Sequence, residues 1–337
     1  MPRNRAVTLK QVAEHADVSR AAASFALSGR PGVSDATRSK VLRIAAELGY
    51  TPNQTAQNLR SSRTGMIAVY LPRYVSTLSY YMEATFGVID EAELSGHTVT
   101  LIPHRRSSLG RLQADGIIVL DPTLDDPMVG QLLDLGLPVV TGEEMPGPRA
   151  EVAGRVASDH GTSAVEILDH FAAAGSRRPA IITTGERMSW SMAIEEAYQE
   201  WCRAHDVEPR VESANLADIE ESTRAATRSL LETGGVDAIL ALTDGSVLSV
   251  ITSAAEYGRT VGEDLLVAAA VDSPALGHTD PAVTAVDLHP REFGRRCMAV
   301  LRRVLDGEES ASGPLAEVVE TRVVYRASTA GPGTAGR

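Results

Sequence analysis

The first fifty residues carry apolar side chains at helical spacing. A helix is predicted over residues 9–15, and Thr8 is placed to cap it because its hydroxyl can accept from a free amide in the first turn. One apolar stripe at positions i, i+3, i+4 and i+7 runs along this helix: Leu9, Val12, Ala13 and Ala16. A helix this short is unstable alone, so it must pack on a neighbour.

A short polar turn leads from this helix to the next one. Asp17 tolerates the left-handed conformation that a tight turn needs, and Ser19 is placed to cap a second helix over residues 20–27. Ser34 is placed to cap a third helix over residues 35–48. Two short helices joined by so short a turn predict a helix-turn-helix unit.

Beyond residue 65, short apolar runs alternate with amphipathic stretches. The runs predict strands over 66–72, 97–103, 115–120, 137–142, 179–185, 210–214, 237–242 and 265–272. The stretches between them predict helices over 81–94, 126–135, 162–174, 192–205, 219–233 and 247–257. This alternation indicates parallel sheets with ligands at the carboxyl ends of the strands. A last helix over 290–305 and a last strand over 317–325 indicate that the chain crosses back between two lobes.

Charge separates the two parts of the chain. Residues 1–64 carry ten Lys or Arg against four acids, a net of +6, and residues 65–337 carry 22 against 40, a net of −18. A basic head on an acidic body suits a module that binds phosphate while the rest stays off the nucleic acid. The charge therefore disfavours the alternative reading of the helix-turn-helix pattern, a helical hairpin inside an ordinary core.

The second helix is the expected reading element of this head. Its first exposed side chains are Arg20, whose guanidinium suits the two acceptors of guanine, and Ala21, whose methyl suits the methyl of thymine. Ser24 on the same helix is a further predicted DNA contact. Hydroxyls at helix ends are expected to contact phosphate oxygens and to position the head without specifying sequence: Thr8, Ser19, Ser28 and Ser34.

The runs VTLKQVAEHADVS, LSGRPGVSDATRSKV and AAELGYTPNQTAQNLR resemble the head and hinge of LacI/GalR-type bacterial repressors. In that family the segment that matches residues 52–60 is a hinge helix that forms only on operator DNA. The resemblance assigns a wedge in the minor groove, at a central CG step, to Leu59, and further groove contacts to Asn53, Ala56 and Gln57. The alternative for Leu59 is an ordinary linker residue. The segment is too polar and short to fold by itself, so its order must come from DNA or a partner chain.

The resemblance extends over nearly the whole chain, through runs such as ASDHGTSAVEIL, GRTVGEDLLVAAAVDS and VVYRAST. It implies an α/β body of the periplasmic-binding-protein type I architecture, with parallel sheets in two lobes and an effector between them, behind an all-α head. Cleft closure then shifts the hinge helices. The predicted division is a helix-turn-helix domain over 1–52, hinge helix and linker over 53–64, an effector-binding and dimerisation domain over 65–330, and a disordered tail over 331–337. Lobe 1 comprises about 65–157 plus 288–316, and lobe 2 about 158–287 plus 317–328.

The cleft departs from the family's usual pattern. Trp190 stands where the family usually has an effector-binding Arg, and Thr243-Asp244 replaces an Asn-Asp pair, whereas Asp272 matches an acid that commonly holds sugar hydroxyls. The connection between the strands over 97–103 and 115–120 is too short for a full helix. Five residues are predicted to line the cleft: Tyr80, Tyr81, Trp190, Thr243 and Asp272. The alternative is that the tyrosines and Trp190 merely fill the lobe cores.

Other classes of site find little support in the sequence. Motifs of hydrolases, nucleotide-binding loops and zinc sites are lacking, so we expect neither an enzyme nor a metal or cofactor. The acidic pairs Asp125-Asp126 and Glu143-Glu144 are predicted to lie in solvated turns, and His160 belongs to a scattered set of histidines. No apolar signal region and no run of about 18 apolar residues occurs, which predicts a cytoplasmic protein with no membrane partner.

These expectations combine into a sequence-specific transcriptional regulator, a repressor whose DNA affinity is gated by a small-molecule effector, a sugar or related metabolite. Because one head reads only half a site, a homodimer on a pseudo-palindromic double-stranded operator is expected. Two alternatives stay open: a cytoplasmic solute-binding or sugar-processing protein with an incidental head, and a DNA-binding regulator that is blind to effectors.

Overall fold

The computed structural model describes residues 7–27, 31–50, 63–73, 79–104, 109, 112–123, 126–147, 152–308 and 313–331. The chain divides into two compact units, Met1–Gly65 and Met66–Arg337, which are called the head and the body below. Several predictions fall outside the described residues: the hinge helix, the tail after residue 331, and the contacts Ser28, Asn53, Ala56, Gln57 and Leu59.

The described residues of the head form three helices: α1 (Leu9–Ala16), α2 (Arg20–Leu27) and α3 (Asp35–Leu48). Their bounds confirm the predicted helices to within one residue. The Thr8 side chain accepts from the Gln11 amide in a capping box, Asp17 adopts the left-handed conformation at φ 52°, and the Ser34 side chain accepts from the Thr37 amide. Local capping chemistry therefore fixes where each of these helices begins and ends.

Twelve strands occur among the described residues of the body. In chain order they are β1 (Met66–Tyr70), β2 (Thr98–Leu101), β3 (Gly116–Leu120), β4 (Val139–Gly142), β5 (Gly154–Ser158), β6 (Pro179–Thr184), β7 (Val211–Ala214), β8 (Ala238–Ala241), β9 (Leu266–Ala269), β10 (Thr284–Asp287), β11 (Leu315–Val319) and β12 (Arg322–Val324). They form two six-stranded sheets in the orders β11-β5-β4-β3-β1-β2 and β12-β10-β9-β8-β6-β7. All pairs are parallel except β10 with β12.

Seven α-helices accompany these strands in the part of the body that the structure describes. They are α4 (Ser79–Leu94), α5 (Pro127–Leu133), α6 (His160–Ala173), α7 (Ser189–Ala204), α8 (Ile219–Glu232), α9 (Asp244–Glu256) and α10 (Pro290–Leu305). Two parallel sheets with crossover helices confirm the α/β fold class and the two-lobed architecture. Of the connection between β2 and β3, residues 102–104, 109 and 112–115 are described, and none of them is helical.

The chain passes between the sheets three times, after β5, after β10 and after β11. The single strand predicted over 317–325 is wrong: it is two strands, β11 in the first sheet and β12 in the second. Glu320, Thr321 and Arg322 separate the apolar residues of the two strands, but so short a polar stretch does not show that the chain changes sheets. Strand β5 was not predicted, because Arg155 and Ser158 interrupt its apolar character.

Helices α4 and α10 lie unusually close together. A Cβ atom at Gly87 would overlap the backbone oxygen of Arg291, and one at Gly294 would overlap the backbone oxygen of Ala84. Only glycine permits this approach on both sides of the contact. The packing fixes the start of α4, which carries Tyr80 and Tyr81, against the first sheet.

Candidate functional site

The start of α2 presents the predicted base contacts on the head surface. Arg20 and Ala21 are exposed and Ser24 is half-buried. Thr8, Ser19 and Ser34 are exposed at helix ends. These described side chains are accessible to DNA, and their contacts with it stay a prediction.

The hydroxyls at these helix ends already serve their own helices. The Ser19 hydroxyl accepts from the Ala22 amide at 3.1 Å, and the Ser34 hydroxyl accepts from the Thr37 amide at 3.2 Å. A hydroxyl oxygen has a second lone pair and a rotatable proton, so a phosphate contact is still available to it. Arg38 is used structurally, since its guanidinium donates to the carbonyl oxygens of Phe25 and Ala26 at the end of α2.

The body contains a cavity at the carboxyl ends of both parallel sheets. Its lining residues follow strands or begin helices of both lobes: Tyr80, Tyr81, Asp121, Glu143, His160, Trp190, Thr243, Asp244, Val271 and Leu288. Ligands bind at this edge of open α/β sheets because loops and helix starts converge there. Four of the five predicted cleft residues meet in this lining, and their role in binding an effector stays a prediction.

Asp272, the fifth predicted residue, is not among the residues that line the cavity. Its two carboxylate oxygens accept from the Arg326 guanidinium at 2.9 and 2.6 Å. The neighbouring Val271 faces the cavity, and successive side chains of an extended segment point to opposite sides. A bidentate ion pair therefore occupies the carboxylate that the resemblance associates with sugar hydroxyls.

Glu143 is buried, so the prediction of a solvated turn is wrong for this residue. Only 4% of Glu143 is exposed, and its backbone is left-handed at φ 75° directly after β4. Asp121, which directly follows β3, is likewise buried and left-handed at φ 45°. Such backbone strain costs about 1–3 kcal/mol per residue and is concentrated at binding sites. Sequence reasoning missed both acids, although each comes one residue after a predicted strand.

The other acids of the two predicted pairs behave differently. The Glu144 side chain is 56% exposed and pairs with Arg155, as expected of a solvated residue. Asp126 is half-buried, caps α5 through the Met128 amide, and accepts from the Tyr70 hydroxyl at 2.5 Å, so it is not simply solvated. Asp125 lies outside the described residues.

His160 pairs with Glu143 inside the cavity, with 3.1 Å between Nε2 and Oε1. Burial lowers the pKa of His160, but the hydrogen bond and the negative charge of Glu143 outweigh burial, so this pKa lies above its ordinary value. The Trp190 ring lies 6.1 Å from the His160 ring. His160 was grouped with scattered histidines, whereas the structure places it beside a buried carboxylate as the first residue of α6.

Asp121 accepts a short hydrogen bond from the Tyr81 hydroxyl. Burial, and then the negative charge of Glu143, raise the pKa of Asp121 to about 7. Burial also raises the pKa of Tyr81 and of Tyr80 well above the ordinary value, so both phenols stay neutral. The protonation of Asp121 therefore changes near neutral pH, and the charge of the cavity changes with it.

The aromatic residues are both cavity lining and core. Tyr80, Tyr81 and Trp190 belong to the main apolar cluster of the body, and Tyr80 packs 6.1 Å from the Phe293 ring. All three also border the cavity. The two alternatives that the sequence left open for these side chains thus apply together, because each ring has one side in the core.

Helix α9 brings two polar residues to the cavity. Thr243 caps this helix in a capping box with Ser246. Burial raises the pKa of the adjacent Asp244, and the hydroxyl of Ser79 on α4 donates to Asp244 Oδ2 at 3.5 Å. This contact joins the two lobes across the cavity.

Among the described residues, no group of three His, Cys, Asp or Glu side chains is placed to hold a metal ion. Within the same residues, no helix has the length and apolar character needed to cross a bilayer. The cysteines Cys202 and Cys297 are both buried and free.

Two family models match the chain. Residues 8–53 match the bacterial regulatory proteins of the lacI family, and residues 168–329 match a periplasmic binding protein-like domain. The HTH-type transcriptional regulator CelR of Thermobifida fusca is 30% identical over 97% of this chain and 100% of its own. The HTH-type transcriptional repressor CytR of Escherichia coli is 25% identical over 96% of each chain.

Solved structures of transcriptional regulators are also similar to this chain. A complex of the transcriptional regulator CelR with cellobiose has a TM-score of 0.72 at 28% identity and covers 96% of this chain and 99% of its own. The lac repressor dimer bound to operator and the anti-inducer ONPF has a TM-score of 0.74 at 20% identity, with the same coverage. The latter likeness supports the fold.

Proposed function

The chain belongs to the LacI family of bacterial regulatory proteins, and we therefore propose that it is a transcriptional repressor that binds operator DNA in the cytoplasm. The observation that carries the proposal is the start of α2, where Arg20 and Ala21 are exposed on a capped three-helix head. An arginine there can make a bidentate contact to guanine in the major groove. The net charge of +6 on residues 1–64 supplies attraction to phosphate.

The cavity supports gating by a small molecule. Both lobes contribute side chains to it, and the Ser79–Asp244 contact spans it. A ligand that fits the closed arrangement better than the open one shifts the lobes towards closure by the difference in its affinities. CelR binds cellobiose in its solved complex, so a sugar or related metabolite is the proposed effector class for this chain.

An apolar stripe on α4 supports a homodimer. Met82, Phe86 and Ile89 lie at i, i+4 and i+7 and are all exposed, Met82 to 54%. An exposed stripe of this kind marks an interaction surface. A second copy of the chain is the proposed occupant, because a repressor of a pseudo-palindromic site needs two heads.

Selection of random duplex DNA by the full chain tests the repressor proposal. We expect a pseudo-palindromic consensus, specific binding that weakens steeply with salt, and a mass of two chains in solution by light scattering. Equal affinity for every sequence would contradict it and favour a solute-binding protein with an incidental head. Specific DNA binding that no ligand alters would favour the effector-blind regulator.

A substitution on α4 tests the proposed dimer surface. Met82→Glu places a charge on the proposed contact, so we expect a single-chain mass and weaker operator binding. Glu93→Lys, on the same helix and also exposed, is the control and should leave the mass unchanged. A dimer that survives Met82→Glu would place the interface elsewhere.

A further inference from the structure

The cavity between the lobes is acidic. Three carboxylates line it, those of Asp121, Glu143 and Asp244, and none of its described lining residues is Lys or Arg. His160 offsets one charge because it is bound to Glu143. Closing the cavity therefore removes Asp121 and Asp244 from water with no Lys or Arg among these lining residues, which is costly for charged carboxylates.

The space next to this cavity has the same character. A second cavity shares Asp121 with the first and adds Asp126 and Glu186 against a single Arg73. Taken together, five carboxylates face one guanidinium and one imidazole in the described lining of the two cavities. A ligand with a positive charge would relieve this imbalance, whereas a neutral ligand would leave it in place.

Hydrogen-bonding groups of the lining are also unsatisfied. Tyr80 borders the cavity, and its hydroxyl has no hydrogen-bond partner among the described residues. This hydroxyl is therefore available to donate to an oxygen of a ligand. The Ser79 hydroxyl reaches Asp244 Oδ2 only at 3.5 Å, a length at which a hydrogen bond is weak, so a closer donor on a ligand would be favoured there.

Aromatic rings complete the environment. Tyr80 and Trp190 border the cavity from opposite lobes, and the faces of such rings attract cations, most strongly for Trp. Aromatic faces combined with carboxylates favour an organic ammonium group over an anion.

We propose that the cavity binds a small hydroxylated amine, such as an amino sugar, with its ammonium group between Asp121 and Asp244 and a ligand oxygen accepting from Tyr80. The ammonium group offers three donors and the charge that the carboxylates lack. A neutral sugar offers comparable donors but no charge. The inference rests on the proposed function only for the effect of the amine on DNA binding, because binding itself can be measured on the full chain without DNA.

Matched ligands on the full chain test this proposal by calorimetry. The pairs are glucosamine with glucose and galactosamine with galactose. Two further ligands are N-acetylglucosamine, whose nitrogen is an uncharged amide, and cellobiose. We expect at least one amine to bind about tenfold tighter than its neutral twin. Equal or tighter binding of the neutral twin, or no binding by either amine at millimolar concentration, overturns the proposal.

A pair of variants locates the negative charge that is responsible for the preference for the amine. Asp244→Asn should remove most of the preference for the amine. Glu144→Gln is the control and should keep the preference, because the Glu144 side chain is exposed. A preference that persists in Asp244→Asn, with Asp121→Asn also unchanged, contradicts the assigned position. Should these variants not fold, the ligand pairs on the unaltered chain still decide.

The DNA assay separates the two proposals. Release of operator DNA by cellobiose or glucose, with no response to amines, would overturn the amine inference and leave the gated repressor intact. Amine binding by a chain that shows no sequence preference on DNA would support the amine inference and contradict the repressor proposal.

Discussion

The head and the body are stabilised by different means. Five of the eight buried apolar residues of the head are alanines, whereas the largest fully buried side chains in the described structure, such as Tyr70, Phe171, Tyr198 and Phe293, all belong to the body. Because the free energy of burial scales with apolar area, the head gains less from packing and depends more on its caps. The body, with its larger core, can hold buried charges and strained residues at its cavity.

The largest expected effect is a clash in the body. Gly294→Ala forces α4 and α10 apart because the new methyl overlaps the Ala84 carbonyl oxygen, and overpacking of this kind costs about 1–3 kcal/mol or more. Calorimetry should show a lower melting temperature, and hydrogen exchange should place the loss in the body. Gly130→Ala in α5, where a Cβ meets nothing within 4 Å, is the control and should be neutral or slightly stabilising. An unchanged melting temperature for Gly294→Ala would mean that the two helices can separate freely.

A change at the head surface should affect recognition and leave stability alone. Arg20→Ala should cost about 1–3 kcal/mol of binding free energy and relax base preference at one position in each half-site. Anisotropy titrations on the selected operator and its single-base variants measure this. Arg43→Ala, which removes an exposed guanidinium paired with Glu47, should leave base preference unchanged. Equal weakening on all sequences would make Arg20 a phosphate contact.

A smaller loss is expected from a cap in the head. Thr8→Ala removes the capping box at α1 and should cost about 1 kcal/mol. Because the head has a small core, hydrogen exchange should rise throughout its three helices and stay unchanged in the body. Thr8→Ser keeps the oxygen and should preserve protection. Protection lost in the body as well would show that the two units do not unfold independently.

A further expected effect is the pH dependence of the body. Since the pKa of Asp121 is about 7 in the folded protein and near its ordinary low value when unfolded, the folded state holds an extra proton between these values. Stability therefore falls as pH rises from about 4 to 7. His160, whose pKa is also raised, extends the fall to higher pH, and Tyr81 and Glu143 are the other titratable groups in contact with this pair.

Asp121→Asn should flatten this profile, measured as the melting temperature of the body between pH 5 and pH 8. Glu144→Gln, exposed and outside the cavity, should keep the slope of the unaltered chain. An identical slope in Asp121→Asn would show that the proton is held elsewhere.

Local signals in the sequence were enough to predict the helices of the head. The bounds of α1, α2 and α3 follow from caps and turns that act within four residues, so the sequence alone predicted them. Alternating strands and helices predicted the parallel sheets and the edge where the cavity lies, and the family resemblance assigned Tyr80, Tyr81, Trp190 and Thr243 to the cleft.

Only the tertiary structure decided which polar side chains turn inward and which partners they meet. Glu143 and Glu144 are adjacent in sequence, yet one is buried against His160 and the other pairs with Arg155 near the surface. Asp272 meets Arg326 because the segment after β9 and the segment after β12 bring together residues that are 54 positions apart. The passage of the chain from β11 in the first sheet to β12 in the second likewise depends on which sheet edge is available. Such outcomes depend on strand order and on the cost of burying charge, which act between residues distant in the chain and leave no local pattern.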